Sequence, residues 1–425
     1  MENIYVIIYA ILWLIVLLIH YTKVRTVDAG FVLVFSYLLY AVSSYALYTD
    51  IYFGHIYSGL SFIPFLILFF LLYVTAKPIL LYGTYQIKKI HQPCISIVNF
   101  FCWMYIIMSV ISIPGILSNL KLMSLIINMQ GADIYAENVS DSVYTASSMG
   151  SGISNIVSLY TNFFSRISVL FLFYHLTLPQ KNKKIIIGLI LSIIVYVFSY
   201  LLTGQRGGTF KMITTCAITF FALKQFISPS INKVIIRLSI VGLILVCIPY
   251  YFLTISRFSD ITEGFWSAIY SYTGQGNLNF NLYALDNNGI RYGDRIVPLF
   301  KKFLGFQNVP SNFWERRWKY PDLRINDESF VTYVGDFVLD FGPFFATFIL
   351  CSISLFIQRK TRVKNGVLYF HQLILLHFLM CLCMEGGMSL FSFADSSNVV
   401  ILVYAFMYFL FKYAYIGQIK VYNKV

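Results

Sequence analysis

The stretch YVIIYAILWLIVLLIHYTKVR, residues 5–25, is an apolar run followed by two basic residues, Lys23 and Arg25. A helix needs about 20 residues to cross the hydrocarbon core of a bilayer, and this run is close to that length. Similar runs recur along the chain, in which 58% of the 425 residues are hydrophobic and 12% are charged. Soluble domains carry about 25% charged residues. The composition therefore predicts an all-α polytopic membrane protein.

We place eleven transmembrane helices on these apolar runs. They cover residues 4–20, 29–48, 62–76, 94–117, 153–177, 185–202, 209–226, 238–256, 331–357, 367–385 and 398–415. The polar segments between them are too short to fold alone, so we expect one membrane domain over 1–425. The longest polar segment, 257–330, is predicted to be a large loop between the eighth and ninth helices.

The basic residues set the orientation of these helices. Most Lys and Arg fall in alternate short loops, at 21–28, 77–93, 178–184, 224–237 and 358–366, and at the C-terminal end. Loops rich in Lys and Arg face the cytoplasm. We therefore predict an outer N-terminus, a cytoplasmic C-terminus and an extracytoplasmic 257–330 loop. The net charge of +13 reflects this topology and does not indicate nucleic-acid binding.

Several basic residues lie on the predicted outer face, where the topology does not explain them. The first is Arg206, in the stretch LLTGQRGGTFKM, residues 201–212. Glycines allow a tight turn and close approach to a ligand. An arginine and a helix N-terminus beside them suit a pyrophosphate group. The alternative is a tight turn between helices whose arginine contacts lipid headgroups.

The start of the 257–330 loop combines aromatic and amide side chains. These are Trp266, Tyr270, Tyr272, Asn277, Asn279 and Asn281. Stacking aromatic rings and hydrogen-bonding amides are suited to sugars, and we interpret them as candidate sugar contacts. The alternative is an amphipathic helix that lies in the membrane interface and contributes to an aromatic belt.

Carboxylates cluster where the chain re-enters the membrane after this loop. They are Asp327, Glu328, Asp336 and Asp340. Charges at that depth are costly unless they are paired or functional. We expect them to pair with arginines of the loop, and one that faces a sugar hydroxyl could act as a general base. Arg166, in the middle of a predicted span, must face the interior of the helix bundle.

Several chemistries find no support in the sequence. The seven cysteines lie within or at the ends of apolar runs, which argues against a disulfide framework. There is no His/Cys cluster for zinc, no GxSxG elbow, no P-loop and no dinucleotide-binding fingerprint. We predict no cofactor and no metal. An enzyme on the outer face cannot use cytosolic nucleotides, so its donor must already be activated, as in a lipid-linked pyrophosphate sugar.

The LTGQRGG turn resembles the TGSRG-like turn of oligosaccharide repeat-unit polymerases, the Wzy-type O-antigen and capsule polymerases. Three further features are similar to that family: the Ser-Arg-Phe exit at 256–258, the long outer loop, and the re-entry DFVLDFGPFF at 336–345. The last departs from the family's DFG-x-x-G pattern at Pro343 and Phe344. The resemblance covers about 160–350 and implies a fold like that of the GT-C membrane glycosyltransferases.

The resemblance also implies an activity and residue roles. Such enzymes act on the outer face of the bacterial cytoplasmic membrane and join undecaprenyl-pyrophosphate-linked oligosaccharides. A separate chain-length regulator accompanies them, and membrane lipids surround them. Arg206 and Arg257 would bind pyrophosphate and stabilise the charge of the leaving group. Arg291, Arg295 or Arg324 would hold the second pyrophosphate or the donor, and Arg166 is grouped among these substrate-binding cations. The catalytic candidates are Glu328, Asp327 and Asp260.

Two other functions remain open. O-antigen ligases resemble this fold but carry a histidine in the large outer loop, and residues 257–330 contain none. A lipid-linked oligosaccharide flippase would show about twelve or more spans and some internal symmetry. The polymerase agrees best with the odd number of predicted spans and with the charge on one face.

Overall fold

The computed structural model is built almost entirely from α-helices. It describes residues 2–85, 87–118, 153–202, 206–258, 265–311, 313–325, 329–363, 365–388 and 395–422. In chain order the helices of this part are α1 (Glu2–Val24), α2 (Ala29–Tyr48), α3 (Phe62–Thr84), α4 (Ile95–Ser118), α5 (Ile153–Thr177), α6 (Lys183–Leu202), α7 (Arg206–Leu223), α8 (Pro229–Phe258), α9 (Phe265–Asn279), α10 (Pro298–Phe303), α11 (Phe313–Lys319), α12 (Thr332–Phe341), α13 (Pro343–Lys360), α14 (Phe370–Gly386) and α15 (Asp395–Tyr422). The predicted class, a helical polytopic membrane protein, is confirmed.

Eight of these helices are long and apolar enough to span a membrane, counted over the described residues. They are α1 to α6, α8 and α15. Three predicted spans do not correspond to such a helix. They are 209–226, which contains most of α7 with Lys211, 367–385, which corresponds to the shorter apolar helix α14, and 331–357, which the structure divides into α12 and α13. The number of crossings and the GT-C-like arrangement therefore stay predictions.

The prediction of one continuous helix over 331–357 is wrong. The chain breaks at Gly342, which separates α12 from α13. Gly342 has a φ of +77°, a left-handed conformation that glycine adopts without a steric penalty. Pro343 follows as the first residue of α13, a position that proline tolerates because its missing N–H would be unpaired there. The apolar run hides this break because both sides of it are hydrophobic.

The described helices cluster into two compact units, Met1–Gln92 with Trp266–Val425, and Pro93–Phe265. In the first unit, α1, α2 and α3 pack on one another, and α13 and α14 pack on α3. Its core includes Trp13, whose ring meets those of Tyr37 and Phe69 edge-on at 4.8 Å between centroids. In the second unit, α4 to α7 pack side by side.

Contacts within the first unit bring together loops that were predicted to share a membrane face. At one end, β1 (Lys89–His91) pairs in parallel with β2 (Val367–Tyr369), joining two predicted cytoplasmic loops. At the other end, Glu2 accepts hydrogen bonds from the Tyr48 hydroxyl and the backbone N–H of Gly59. These contacts agree with the predicted alternation of loops in this unit. Which end faces outwards stays a prediction.

Helix α9, from the start of the large loop, packs directly against α1 and α2. The Ser44 hydroxyl donates to the Gly274 carbonyl at 2.8 Å, and the Asn277 amide donates to the Ser44 oxygen at 3.0 Å. The Tyr9 hydroxyl in turn donates to the side-chain oxygen Oδ1 of Asn277 at 3.2 Å. The beginning of the predicted loop is therefore part of the helix bundle.

We predict that Gly274→Ala destabilises the protein. A Cβ atom at Gly274 would lie 2.6 Å from the backbone oxygen of Ser43, and the backbone of α2 cannot move away as a flexible side chain could. Overpacking of this kind costs about 1–3 kcal/mol. Thermal unfolding of the purified chain in detergent should show a lower melting temperature.

Gly242→Ala is the matched control for this substitution. A Cβ atom at Gly242, inside α8, meets nothing within 4 Å. Alanine is the better helix former, so its melting temperature should be unchanged or higher. Equal melting temperatures for the two variants would contradict the close approach of α9 to α2.

Candidate functional site

A buried charged cluster forms between the large loop and α12. On the loop side, residues 287–295 (NNGIRYGDR) make two tight turns, with left-handed φ angles at Asn288 and Gly289 and again at Tyr292 and Gly293. Asn and Gly are the residues that favour this conformation. The second turn lies between Arg291 and Arg295 and places both guanidinium groups against the same face of α12.

Helix α12 supplies the carboxylates that meet these arginines. Asp336 and Asp340 are four residues apart and therefore lie on one face of the helix. Arg291 Nε lies 2.7 Å from Asp340 Oδ1, and Arg291 Nη2 lies 3.1 Å from Asp336 Oδ1. Arg295 Nε lies 3.1 Å from the same Asp336 oxygen. The expected pairing of the re-entry carboxylates with loop arginines is thus confirmed for this pair of aspartates.

Asp340 also organises the loop backbone. Its second oxygen accepts hydrogen bonds from the backbone N–H groups of Arg295, at 3.1 Å, and Ile296, at 2.9 Å. The backbone N–H of Arg291 donates to the carbonyl of Leu339 at 3.0 Å. With both oxygens engaged and no surface exposed to solvent, the Asp340 carboxylate holds the turn in place.

A second group of ionic contacts surrounds Asp294 in the same turn. Its carboxylate contacts the ammonium group of Lys301 and accepts from Lys319 Nζ at 2.6 Å. The Tyr320 hydroxyl donates to it at 2.7 Å. Asp294 is fully buried, whereas 35% of the Lys319 side chain and 15% of the Lys301 side chain are exposed.

These partners decide the protonation state of Asp294. Burial alone would raise the pKa of its carboxyl group, but the hydrogen bonds from Lys301, Lys319 and Tyr320 outweigh that effect and lower the pKa below its ordinary value. Burial and the contact with Asp294 raise the pKa of the Tyr320 phenol. Asp294 is therefore ionised at neutral pH and a poor proton acceptor, and Tyr320 keeps its proton.

Among the described residues, four cations share ion pairs with three carboxylates in this cluster. The cations are Arg291, Arg295, Lys301 and Lys319, and the carboxylates are Asp294, Asp336 and Asp340. The arginines are buried and the lysines are partly exposed, so the cluster reaches solvent through its lysine side.

The cluster lies next to the end of a candidate membrane span. The Asn398 amide donates to the Ile296 carbonyl at 2.7 Å, and its oxygen accepts from the backbone N–H of Leu299 at 3.0 Å. Asn398 is the second residue of the apolar stretch Ser397–Ala414 in α15. The loop residues that follow Arg295 are therefore tied to the level at which this span begins.

Arg324, another predicted substrate-binding residue, belongs to a separate and more open ion pair. Its Nη1 lies 2.6 Å from Asp286 Oδ2, and the two side chains are 41% and 75% exposed. Its guanidinium also lies over the ring of Tyr283, 5.6 Å from the centroid. Arg324 is accordingly the most accessible of the predicted loop arginines that the structure describes.

The other predicted site residues are not among the residues of this cluster that the structure describes. Arg166 is buried in α5 of the second unit, within electrostatic range of Tyr196. Arg206 begins α7 and Arg257 lies near the end of α8, but their side chains are not described. The three catalytic candidates, Asp260, Asp327 and Glu328, fall outside the described residues.

The interpretation of the asparagine-rich stretch as sugar contacts is corrected by the structure. Asn277, Asn279 and Asn281 are buried. Asn277 is hydrogen-bonded to Tyr9 and Ser44, and the amide of Asn279 donates to the Phe330 carbonyl at 2.9 Å. Asn281 bonds both the N–H and the carbonyl of Ser61. Asn277 and Asn281 join the loop to the bundle, Asn279 joins two parts of the loop, and the three buried amides leave no surface for a sugar.

The contacts of Asp294 could not be predicted from the sequence. Lys301, Lys319 and Tyr320 lie 7, 25 and 26 residues away along the chain. In the sequence, the only indication of such an ionic cluster was the number of unexplained basic residues on the predicted outer face. As for metals, no three His, Cys, Asp or Glu side chains converge on an ion site within the described ranges.

Comparison of the chain with protein-family models, with curated proteins and with solved structures finds no match. The function therefore has to be inferred from the residues themselves.

We predict that Arg291→Ala strongly destabilises the protein. Its removal leaves Asp336 and Asp340 buried with one cation fewer, and breaking a buried ion pair costs about 3–5 kcal/mol. Arg324→Ala is the control from the same loop, because exposed pairs contribute about 0–1 kcal/mol. Urea unfolding in detergent measures both. If Arg291→Ala lowered the free energy of unfolding no more than Arg324→Ala does, the structural role of the cluster would be contradicted.

We also predict a pH-dependent contribution from Asp294. Its folded pKa lies below the ordinary 3.8, so its stabilisation is complete above that pH and is lost as the pH falls through the folded pKa. Asp294→Asn should lower the melting temperature at pH 7, and the difference from wild type should shrink below about pH 4. Asp286→Asn, at an exposed carboxylate, should have little effect at either pH. A constant difference for Asp294→Asn across the range would contradict this prediction.

Proposed function

We propose that this protein is a glycosyltransferase that joins oligosaccharides carried on a polyprenyl pyrophosphate, on the outer face of a bacterial cytoplasmic membrane. The product would be an O-antigen or capsular polysaccharide, with undecaprenyl pyrophosphate as the carrier. The proposal follows from the resemblance to the repeat-unit polymerases and is compatible with a helical membrane protein. Assembly with a separate chain-length regulator is part of the same proposal.

The observation that supports it most directly is the cation-rich cluster at the end of a candidate span. A lipid-linked pyrophosphate is anchored at the membrane surface by its tail and carries its charge at that level. The partly exposed ammonium groups of Lys301 and Lys319 lie beside residues tied to the start of α15. Lysine and arginine are the side chains that bind phosphate groups.

In the proposed reaction, a sugar hydroxyl of one lipid-linked repeat unit attacks the anomeric carbon of the growing chain. The bond from that carbon to the pyrophosphate oxygen breaks, and the polyprenyl pyrophosphate leaves with the electron pair. A carboxylate takes the hydroxyl proton. Asp294 and Asp340 are unsuited to this step because their oxygens already accept several hydrogen bonds. Glu328 or Asp327, with Asp260 behind them, stay the candidates for the base.

The cations would take different roles in this scheme. Arg206 and Arg257 would stabilise the charge that develops on the leaving pyrophosphate. Arg324, Lys301 and Lys319 would meet the second pyrophosphate, since they are at least partly exposed. Arg291 and Arg295 are held by Asp336 and Asp340 and would act by positioning the turn and by adding to the positive potential. Arg166 stays a proposed substrate-binding cation.

The test is a gel of surface polysaccharide from a strain that lacks this protein. We expect single repeat units at the surface and loss of the ladder, restored by the wild-type chain and not by an Arg206→Ala variant expressed at the same level. Failure of any repeat unit to reach the surface would support a flippase instead. Full-length polymer that accumulates on its lipid carrier would support a ligase.

Arg324 and Asp286 provide a matched pair for the same assay. If Arg324 binds a phosphate group, Arg324→Ala should reduce polymer by about ten- to hundredfold, the size expected for losing a hydrogen bond to a charged group. Asp286→Ala removes only the ion-pair partner and should leave the ladder intact. Equal losses in both variants would show that the ion pair matters and would exclude the binding role.

A further inference from the structure

An apolar tip extends from the large loop immediately after α10. The sequence Phe-Leu-Gly-Phe, residues 303–306, places three large hydrophobic side chains in exposed positions, between 58% and 76% accessible. We define these four residues as the apolar tip. Exposed hydrophobic residues scattered singly are ordinary, but three within four residues at the end of a short helix form a continuous apolar surface.

The tip is held in place by the way α10 ends. Gly305 has a φ of +81°. The backbone N–H of Phe306 donates to the Lys301 carbonyl at 3.1 Å, and that of Gly305 donates to the Lys302 carbonyl at 3.0 Å. This pair of hydrogen bonds is the Schellman arrangement that terminates helices at glycine. The apolar side chains are therefore carried by a turn that two backbone hydrogen bonds close.

The tip lies close to a membrane span. The helix that carries it begins at Pro298, and the Asn398 side chain bonds the backbone at Ile296 and Leu299 at the start of the span in α15. Phe303 lies four positions after Leu299 in the chain. At a helical rise of 1.5 Å per residue, this corresponds to about 6 Å. The tip is consequently within a short distance of the level at which α15 enters the bilayer.

Basic side chains accompany the tip. Lys301 Nζ lies 5.6 Å from the centroid of the Phe306 ring, and Lys302 Nζ is hydrogen-bonded to Ser311 Oγ at 3.1 Å. Lys319 Nζ bonds the carbonyl of Asn308 at 2.9 Å, which joins the end of α11 to the turn that follows the tip. On α11, Lys319 directly follows Arg317 and Trp318, and the Trp318 side chain is 73% exposed.

From these observations we infer that the apolar tip inserts into the interfacial region of the bilayer and that the lysines next to it on α10 contact anionic lipid headgroups. Aromatic and aliphatic side chains flanked by Lys and Arg are the composition of membrane-interface anchors. A second copy of the chain fits this surface less well. A symmetric contact through the tip would bring Lys302 of one copy near Lys302 of the other, because a twofold interface uses the same patch on both partners.

This anchoring is independent of the proposed function, because it follows from the tip and its neighbours alone. Its consequence is mechanical: the loop that carries Asp294 and Arg295 is fixed to the membrane surface at two points. One point is Asn398 in α15 and the other is the apolar tip. The charged cluster between them is thereby kept at the height of the lipid headgroups.

The experiment uses the full chain in vesicles of phosphatidylcholine, with or without an equal amount of phosphatidylglycerol. A tryptophan is introduced at the most exposed tip position, Leu304→Trp, and in a matched control at an exposed acidic position of the same loop, Asp322→Trp. The emission of each variant is compared with that of wild type. The same measurement is repeated with lipids brominated near the headgroup end of the acyl chains, which quench tryptophan on contact.

The expected result for Leu304→Trp is an added emission that is blue-shifted and strongly quenched by brominated lipid, and more so when phosphatidylglycerol is present. The control should add emission at the wavelength of a water-exposed indole, with little quenching. An unquenched, red-shifted signal from Leu304→Trp would place the tip in water and overturn the inference. A blue-shifted signal that brominated lipid does not quench would place the tip against protein and would overturn it equally.

A polar version of the tip tests the same inference without a new tryptophan. In the triple variant Phe303→Ser, Leu304→Ser, Phe306→Ser the chain should still fold, because these side chains are exposed and leave no cavity. Protease digestion of intact vesicles should then cut the large loop faster than in wild type. Unchanged cleavage in a variant with wild-type melting temperature would contradict the anchoring.

Discussion

The folded structure of the large loop depends on the burial of two aspartates, Asp336 and Asp340, on one face of a short helix. Neither carboxylate is exposed, and a buried ion without compensation is too costly to persist. Two arginines and two backbone amides supply that compensation, and all of them come from the turn between Ile290 and Ile296. The turn and α12 are therefore energetically coupled, because each supplies the charges that the other needs when it is buried.

The same constraint explains the electrostatics of the region. Once the arginines are committed to Asp336 and Asp340, the remaining carboxylate of the turn, Asp294, takes its cations from Lys301 and Lys319. Those lysines lie on separate short helices, so one buried charge connects α10 and α11 to the turn. The partly exposed lysines are the side of the cluster that reaches solvent.

The membrane adds a second constraint. Residue Asn398 fixes the loop to the start of α15, and the chain continues through α10 into a closed apolar turn. Buried asparagines make the corresponding connection on the other side of the loop, where α9 packs on α1 and α2. A segment that looks polar and open in composition is thus tied to the bundle at several places.

The sequence by itself determined that the chain is a helical membrane protein, because apolar runs of spanning length leave few other structures. It also indicated that the re-entry carboxylates need arginine partners, because an unpaired charge at that depth is costly. Three features were decided only by tertiary structure. The break at Gly342 lies inside an apolar run whose periodicity does not change there. Asn277 of α9, a residue type that commonly binds sugars, is instead hydrogen-bonded within the bundle because Ser44 of α2 lies within hydrogen-bonding distance. The contacts of Lys319 and Tyr320 with Asp294 form because the chain folds back on itself over some 25 residues. The spacing of residues along a sequence does not reveal where the chain folds back.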